Sequence, residues 1–93
     1  MTRLGWAEPA LADLGLIGDN ISARDPAAAA RVVEAIRESV RRLKRFPKSG
    51  PISASGDFRK ISVTRYRYIV YYALADEVVT ILRVRHAAED QQP

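Results

Sequence analysis

The sequence holds no cysteine, one tryptophan, one methionine and one histidine in 93 residues. Without cysteine neither a disulfide framework nor a thiolate metal site can form, so a packed apolar interior must carry the stability. No metal-ligand spacing, glycine-rich phosphate loop or Ser/His/Asp set is present, so neither metal nor cofactor is expected. No apolar run approaches the roughly 20 residues that cross a bilayer, because Arg31, Glu34, Arg37 and Glu38 interrupt the longest candidate helix. No membrane role is expected. The N-terminus lacks the basic, apolar and small-residue pattern of a secretion signal, and the expected location is the cytoplasm.

What is present suits one globular domain spanning residues 1–93. Hydrophobic residues make up 47% of the chain and charged ones 28%, enough apolar surface to offset ordering entropy. The net charge of +4 favours anionic partners, whether nucleic acid or an acidic protein surface, although charge also serves solubility.

Thr2 to Trp6 alternates, with Leu4 and Trp6 on one side, as in an opening β-strand. Glu8-Pro9 reads as a helix entrance. Leu11, Leu14, Ile17 and Ile21 then recur at helical spacing to about Ala23, in a helix weakened by Gly15 and Gly18. Asp25-Pro26 opens a second helix, since Asp can cap orphan N–H groups and Pro at the first position loses no hydrogen bond. Its apolar stripe is Ala29, Val32 or Val33, Ile36, Val40 and Leu43, and Glu38 is placed to pair with Arg42. Arg41, Arg42, Lys44 and Arg45 gather where the helix dipole is negative, before Pro47 and Gly50-Pro51 end it. The period then changes to alternation over Asp57 to Val63, Tyr66 to Leu74 and Val78 to Arg85, three predicted strands. The short Ala75-Asp76-Glu77 connection requires the last two to be an antiparallel hairpin. The class is α+β: an N-terminal strand, a helical hairpin on one face, then a three-stranded antiparallel sheet.

The stretch RYRYIVYY, Arg65 to Tyr72, interleaves arginine and tyrosine. Alternation puts Tyr66, Tyr68, Val70, Tyr72 and Leu74 on the core side, with Arg65, Arg67, Ile69, Tyr71 and Ala73 opposite. Buried tyrosines would send their hydroxyls to partners at the sheet margin. A three-residue hairpin loop with Asp76 at its tip sets Val70 opposite Leu82, Tyr68 opposite Val84 and Arg67 opposite Arg85. Two arginines in that relation repel unless an anion sits between them. Lys60 and Arg83 extend the cluster. A two-residue loop shifts the register and brings Arg83 and Arg85 beside the tyrosines; the first register is preferred because it buries no arginine. Arg65, Arg67, Arg83, Arg85 and Lys60 are thus the candidate target-binding residues, with a merely solvated basic face as the other reading. His86, ending the last strand, could serve as general acid or base, but no carboxylate or second histidine stands near it in sequence to orient it.

Taken in order, these strings resemble the RelE/ParE superfamily of type II toxin–antitoxin toxins over nearly the whole chain. Leu4-x-Trp6 with Ala10, Leu11 and Asp13-Leu14 is similar to the family's first strand and helix. DPAAAARVVEAIRESVRRLKRFPKSG resembles its second helix and Phe46-Pro47-x-x-Gly50 stop. Gly56-x-x-Arg59, Tyr68-Ile69-Val70-Tyr71-Tyr72 and Ile81-Leu82-Arg83-Val84-x-His86 resemble its closing strands, Arg59 and His86 matching recurrent family residues. The resemblance implies a growth-inhibiting toxin held in a hetero-oligomer by a cognate antitoxin. It implies one of two activities: cutting messenger RNA on the ribosome, as RelE-like members do, or poisoning DNA gyrase by protein contact, as ParE-like members do.

Cleaving RNA through its own 2′-hydroxyl requires a base, positive charge for the phosphorane and an acid for the leaving oxygen. RelE-like toxins commonly hold an arginine shortly before the Val-Tyr of the penultimate strand; here Tyr68 and Ile69 stand there. The tail, with His86, Ala88 and Asp90, is similar to the ParE-like His-x-Ala-x-Asp ending, although Gln91-Gln92 replace an aromatic often found there. The ParE-like branch is favoured, and no catalytic residue is assigned. The alternatives are a ribosome-dependent endoribonuclease using His86, Arg59 and Arg65, or a degenerate partner that only binds antitoxin.

Overall fold

The computed structural model describes residues 1–89, so the expectation placed on the Asp90–Gln92 tail lies outside the described residues. The order is β1 (Arg3–Trp6), α1 (Glu8–Ser22), α2 (Pro26–Arg41), β2 (Arg59–Val63), β3 (Tyr68–Ala75) and β4 (Val78–His86). Short 3₁₀ turns follow α2 at Arg42–Lys44, β2 at Thr64–Tyr66 and β4 at Ala87–Glu89. The α+β class and the element order agree with the sequence reading. The sheet order is β1-β4-β3-β2, with β2, β3 and β4 antiparallel as expected and β1 added parallel to β4. The sheet is therefore mixed, since both helices lie in the connection between β1 and the later strands.

Local chemistry sets the helix ends. Asp25 accepts the Ala28 N–H at 3.1 Å and caps α2, with Pro26 behind it. Ala29, Val32, Ile36 and Val40 are buried along α2, and Leu43 continues the stripe beyond it. Val32, Ile36, Val40 and Leu43 pack with Ala10 and Leu14 of α1 against Val63, Val70, Tyr72, Val79, Ile81 and Val84 of the sheet. Each fully buried aliphatic side chain contributes roughly 1.5–3 kcal/mol. The expected Glu38–Arg42 pair does not form. Arg41 takes both Glu34 and Glu38, the latter at 2.6 Å, because it lies one turn from one carboxylate and two from the other.

The final hairpin corrects the preferred register. Ala75 pairs with Val78 across a two-residue loop, Asp76-Glu77, whose φ values of 52° and 62° give it the left-handed turn that matches strand twist. That loop alone would turn Arg83 toward the core. A bulge at Leu82 prevents this: Tyr72 pairs with Ile81, while Tyr71 pairs with Arg83 and Val70 with Val84. The extra residue reverses the parity of β4 midway, so Val79, Ile81 and Val84 all enter the core.

The opening of RYRYIVYY is not strand either. Arg65 and Tyr66 lie in the 3₁₀ turn, and Arg67 adopts a left-handed conformation at φ 61°, its carbonyl accepting the Ala87 N–H at 2.7 Å. Arg67 accordingly does not face Arg85; Ile69 does. The expected tyrosine anchor is Tyr72, fully buried, whose hydroxyl donates to Pro47 O at 2.8 Å and accepts the Gly50 N–H at 3.0 Å. Gly50 is required there, because a Cβ would stand 2.6 Å from Lys60 O and 2.8 Å from the Tyr72 hydroxyl.

Candidate functional site

The side of the sheet opposite Val70 and Val84 carries two cross-strand rows. Lys60, Tyr71 and Arg83 form one, and Ser62, Ile69 and Arg85 the next. Phe58 packs edge-on against Tyr71 with ring centroids 5.7 Å apart, giving this side an aromatic centre flanked by cations. The register places Lys60, Arg83 and Arg85 on one side of the sheet. It separates Arg65 and Arg67, which occupy the turn at the end of the sheet. The Arg65 guanidinium lies 5.5 Å from the Tyr66 ring centroid.

Arg83 is not a free cation. β1 accompanies β4 only as far as Ile81, and past that point Asp13 of α1 meets the open edge. Asp13 accepts Arg83 Nε–H at 2.7 Å, Arg83 Nη2–H at 3.0 Å and Val84 N–H at 2.9 Å. Burial pushes the Asp13 carboxyl up, but these hydrogen bonds and the charges of Arg83 and Arg85 outweigh it and hold the carboxyl below its usual range. The same pairing raises Arg83. The residue that sequence reasoning missed is Asp13. Its signal was a carboxylate at helical spacing from Ala10 and Ile17, beside the face that packs inward.

The other two candidates with chemistry are also engaged. Arg59 Nη1 donates to Gly50 O at 2.7 Å and to Lys48 O at 3.4 Å, so together with Tyr72 it pins the loop after α2. His86 packs edge-on to Tyr68 at 5.1 Å, and its Nδ1 accepts the Ala88 N–H at 3.0 Å. The neutral ring with that bond carries its proton on Nε2. Burial, then the Glu89 charge, raises the Tyr68 hydroxyl. Among the described residues no group of three or more His, Cys, Asp or Glu could hold a metal ion, and no helix is long and apolar enough to cross a membrane.

A mixed sheet of this order with a helical hairpin before its last three strands matches the RelE/ParE fold. The chain belongs to the family described as the ParE toxin of type II toxin–antitoxin systems, parDE, whose model matches residues 4–91. It is 35% identical over 88 residues to Toxin RelE2 of Caulobacter vibrioides, covering 95% of this chain and 98% of that protein. It is 38% identical over 85 residues to the putative toxin Y4kP of Sinorhizobium fredii, covering 91% and 88%. Among solved structures, one of the chromosomal ParDE TA system from P. aeruginosa superposes with a TM-score of 0.82 at 26% identity, covering 92% of this chain and 96% of that one. The isolated E. coli RelE toxin shares the fold, with a TM-score of 0.71 at 20% identity over 94% and 85% of the two chains. The chain is thus the toxin of a type II system, and its family implies an antitoxin partner.

Proposed function

We propose that this toxin arrests growth in the cytoplasm by binding and poisoning DNA gyrase rather than by cutting RNA, and that its cognate antitoxin blocks that contact. The observation that carries this reading is the internal use of two of the three residues the nuclease alternative assigns, Arg59 and His86, and of the sheet arginine Arg83. Arg83 is bonded to Asp13, Arg59 to the carbonyls of Lys48 and Gly50, and the His86 Nδ1 lone pair to Ala88 N–H. A phosphorane needs charge aimed at it, with a base and an acid on opposite sides. Arg59, Arg83 and the His86 Nδ1 serve the fold instead, which speaks against a set assembled for that chemistry. The target-binding residues of this reading are Lys60, Arg83 and Arg85 on the sheet, with Arg65 and Arg67 on the adjoining turn. In that role they need only present charge to an acidic protein surface. A gene pair of this kind would retain its replicon by penalising loss of the antitoxin.

Expression of the toxin alone separates the readings. Gyrase poisoning gives DNA breaks and an SOS response with messenger RNA intact. Rapid messenger RNA loss with no SOS response would replace this reading by the ribosome-dependent nuclease, and unchanged growth would make the chain a degenerate antitoxin-binding partner.

A further inference from the structure

A guanidinium presents its N–H groups in one plane, and Asp13 occupies only part of that plane in Arg83, the Nε–H and one N–H of Nη2. None of the described residues accepts from Nη1 or from the second N–H of Nη2. The two ends of the pair also differ in exposure: 45% of the Arg83 side chain is open to solvent but only 13% of that of Asp13. Arg83 stands past Ile81, where β1 ends, so no strand flanks it on that edge of the sheet. A free arginine gives up its rotamer freedom when it binds; this one has given it up on folding, because two bonds to helix α1 fix its plane.

The fold requires less than this. Asp13 answers the Val84 N–H by itself at 2.9 Å, and any cation would balance its carboxylate. What a guanidinium held side on adds is a second edge, Nη1 with Nη2, whose parallel N–H groups match both oxygens of another carboxylate. A lysine in its place would offer charge without that edge. The pairing also cancels the field of Arg83, and the charge that still acts on Asp13 from this side is that of Arg85.

We propose that Asp13 is a positioning residue for target binding: it holds Arg83 so that the unoccupied Nη1/Nη2 edge receives a carboxylate of the target protein, an assignment that rests on the reading of the toxin as acting by protein contact. The cations then divide the work. Arg85 and Lys60 attract an acidic surface from a distance, whereas Arg83, neutralised by Asp13, adds little to that attraction and fixes the docked geometry. Long-range charge acts on association, and a short-range paired contact acts on dissociation.

The test measures association and dissociation rates of the intact toxin on purified DNA gyrase by surface plasmon resonance, with a thermal melt of each variant. Asp13→Asn keeps an acceptor for Val84 N–H but loses the two-oxygen hold on Arg83. It also makes the toxin more positive, so long-range attraction alone predicts faster association and tighter binding. Positioning predicts weaker binding, with dissociation faster by about tenfold or more and association no slower. Arg83→Lys, which keeps the charge without the planar fork, should lose as much. In an Arg83→Ala background, Asp13→Asn should change affinity by less than about twofold, because the side chain it positions is gone. A purely structural Asp13 would weaken binding equally in both backgrounds. That equal loss, tighter binding by Asp13→Asn, or full affinity in Arg83→Lys overturns the positioning role and leaves the gyrase reading in place. Failure of wild-type toxin to bind gyrase removes both.

Discussion

Asp13 on α1 and Arg83 on β4 are joined side on, Oδ2 to Nε at 2.7 Å and Oδ1 to Nη2 at 3.0 Å, with Val84 N–H completing the set on Oδ2. This contact begins where β1 ends and follows directly on the Leu82 bulge. It closes an otherwise open strand edge, ties a helix to the sheet, and takes one arginine out of the cationic face.

The pair makes acid sensitivity predictable. Because the folded-state carboxyl of Asp13 is held below its unfolded value, its contribution is present above an unfolded pKa of about 3.9 and is lost as pH falls through the folded value. Asp13→Ala leaves Val84 N–H without its acceptor and should cost about 1–3 kcal/mol at pH 7. Its cost relative to wild type should shrink below about pH 4. Urea unfolding at pH 7 and pH 3 measures both; an equal difference at the two pH values would remove the ionised carboxylate from the explanation.

The loop after α2 depends on a polar contact inside an apolar core. Tyr72→Phe leaves Gly50 N–H and Pro47 O without that partner and should destabilise by about 1–3 kcal/mol. Gly50→Ala should cost at least as much, because its Cβ meets the backbone oxygen of Lys60 at 2.6 Å, an atom that moves only with the strand. Thermal melts of the two variants check the order, and a stable Gly50→Ala would show that β2 can shift.

Several of these features were readable beforehand, and the reasons the others were not are physical. The α2 stripe, its Asp25 cap and the strand count follow from periodicity and cap chemistry, which are local. The register of the hairpin is not local. Requiring that no arginine be buried led to a three-residue loop, whereas the chain keeps the tight Asp76-Glu77 turn and satisfies the same requirement with a bulge at Leu82. Parity arguments fail wherever one inserted residue can restore them. The alternation of its neighbours places Arg67 on a strand, but its left-handed backbone ends that alternation. Likewise, Arg59 matched a family position without revealing that it holds the Gly50 carbonyl.

The hairpin turn itself is open to improvement. Asp76 and Glu77 both hold positive φ, which glycine and asparagine tolerate better than glutamate. Asp76→Asn with Glu77→Gly should stabilise the fold by about 1 kcal/mol, raising the melting temperature by roughly 4–8 °C for a domain of this size. The gain is reduced by loss of the exposed contact between the Met1 amine and Glu77 at 2.7 Å, which contributes little. A lower melting temperature would mean that this terminal contact outweighs the turn.

His86 discriminates between the two toxic mechanisms. With Nδ1 accepting Ala88 N–H, the ring holds the 3₁₀ turn that follows β4 and packs on Tyr68. If the toxin acts by protein contact, His86→Asn, which retains a hydrogen-bond acceptor, should arrest growth as wild type does, and His86→Ala should lower stability by about 1 kcal/mol while still arresting it. A histidine that transfers protons in RNA cleavage would show the opposite pattern, because a general acid or base contributes typically 10²–10⁴-fold and an amide cannot replace it. Colony survival after induction, with antitoxin-binding affinity as the measure of folding, separates the cases. A His86→Asn toxin that binds antitoxin normally yet leaves cells growing would move the protein to the nuclease branch.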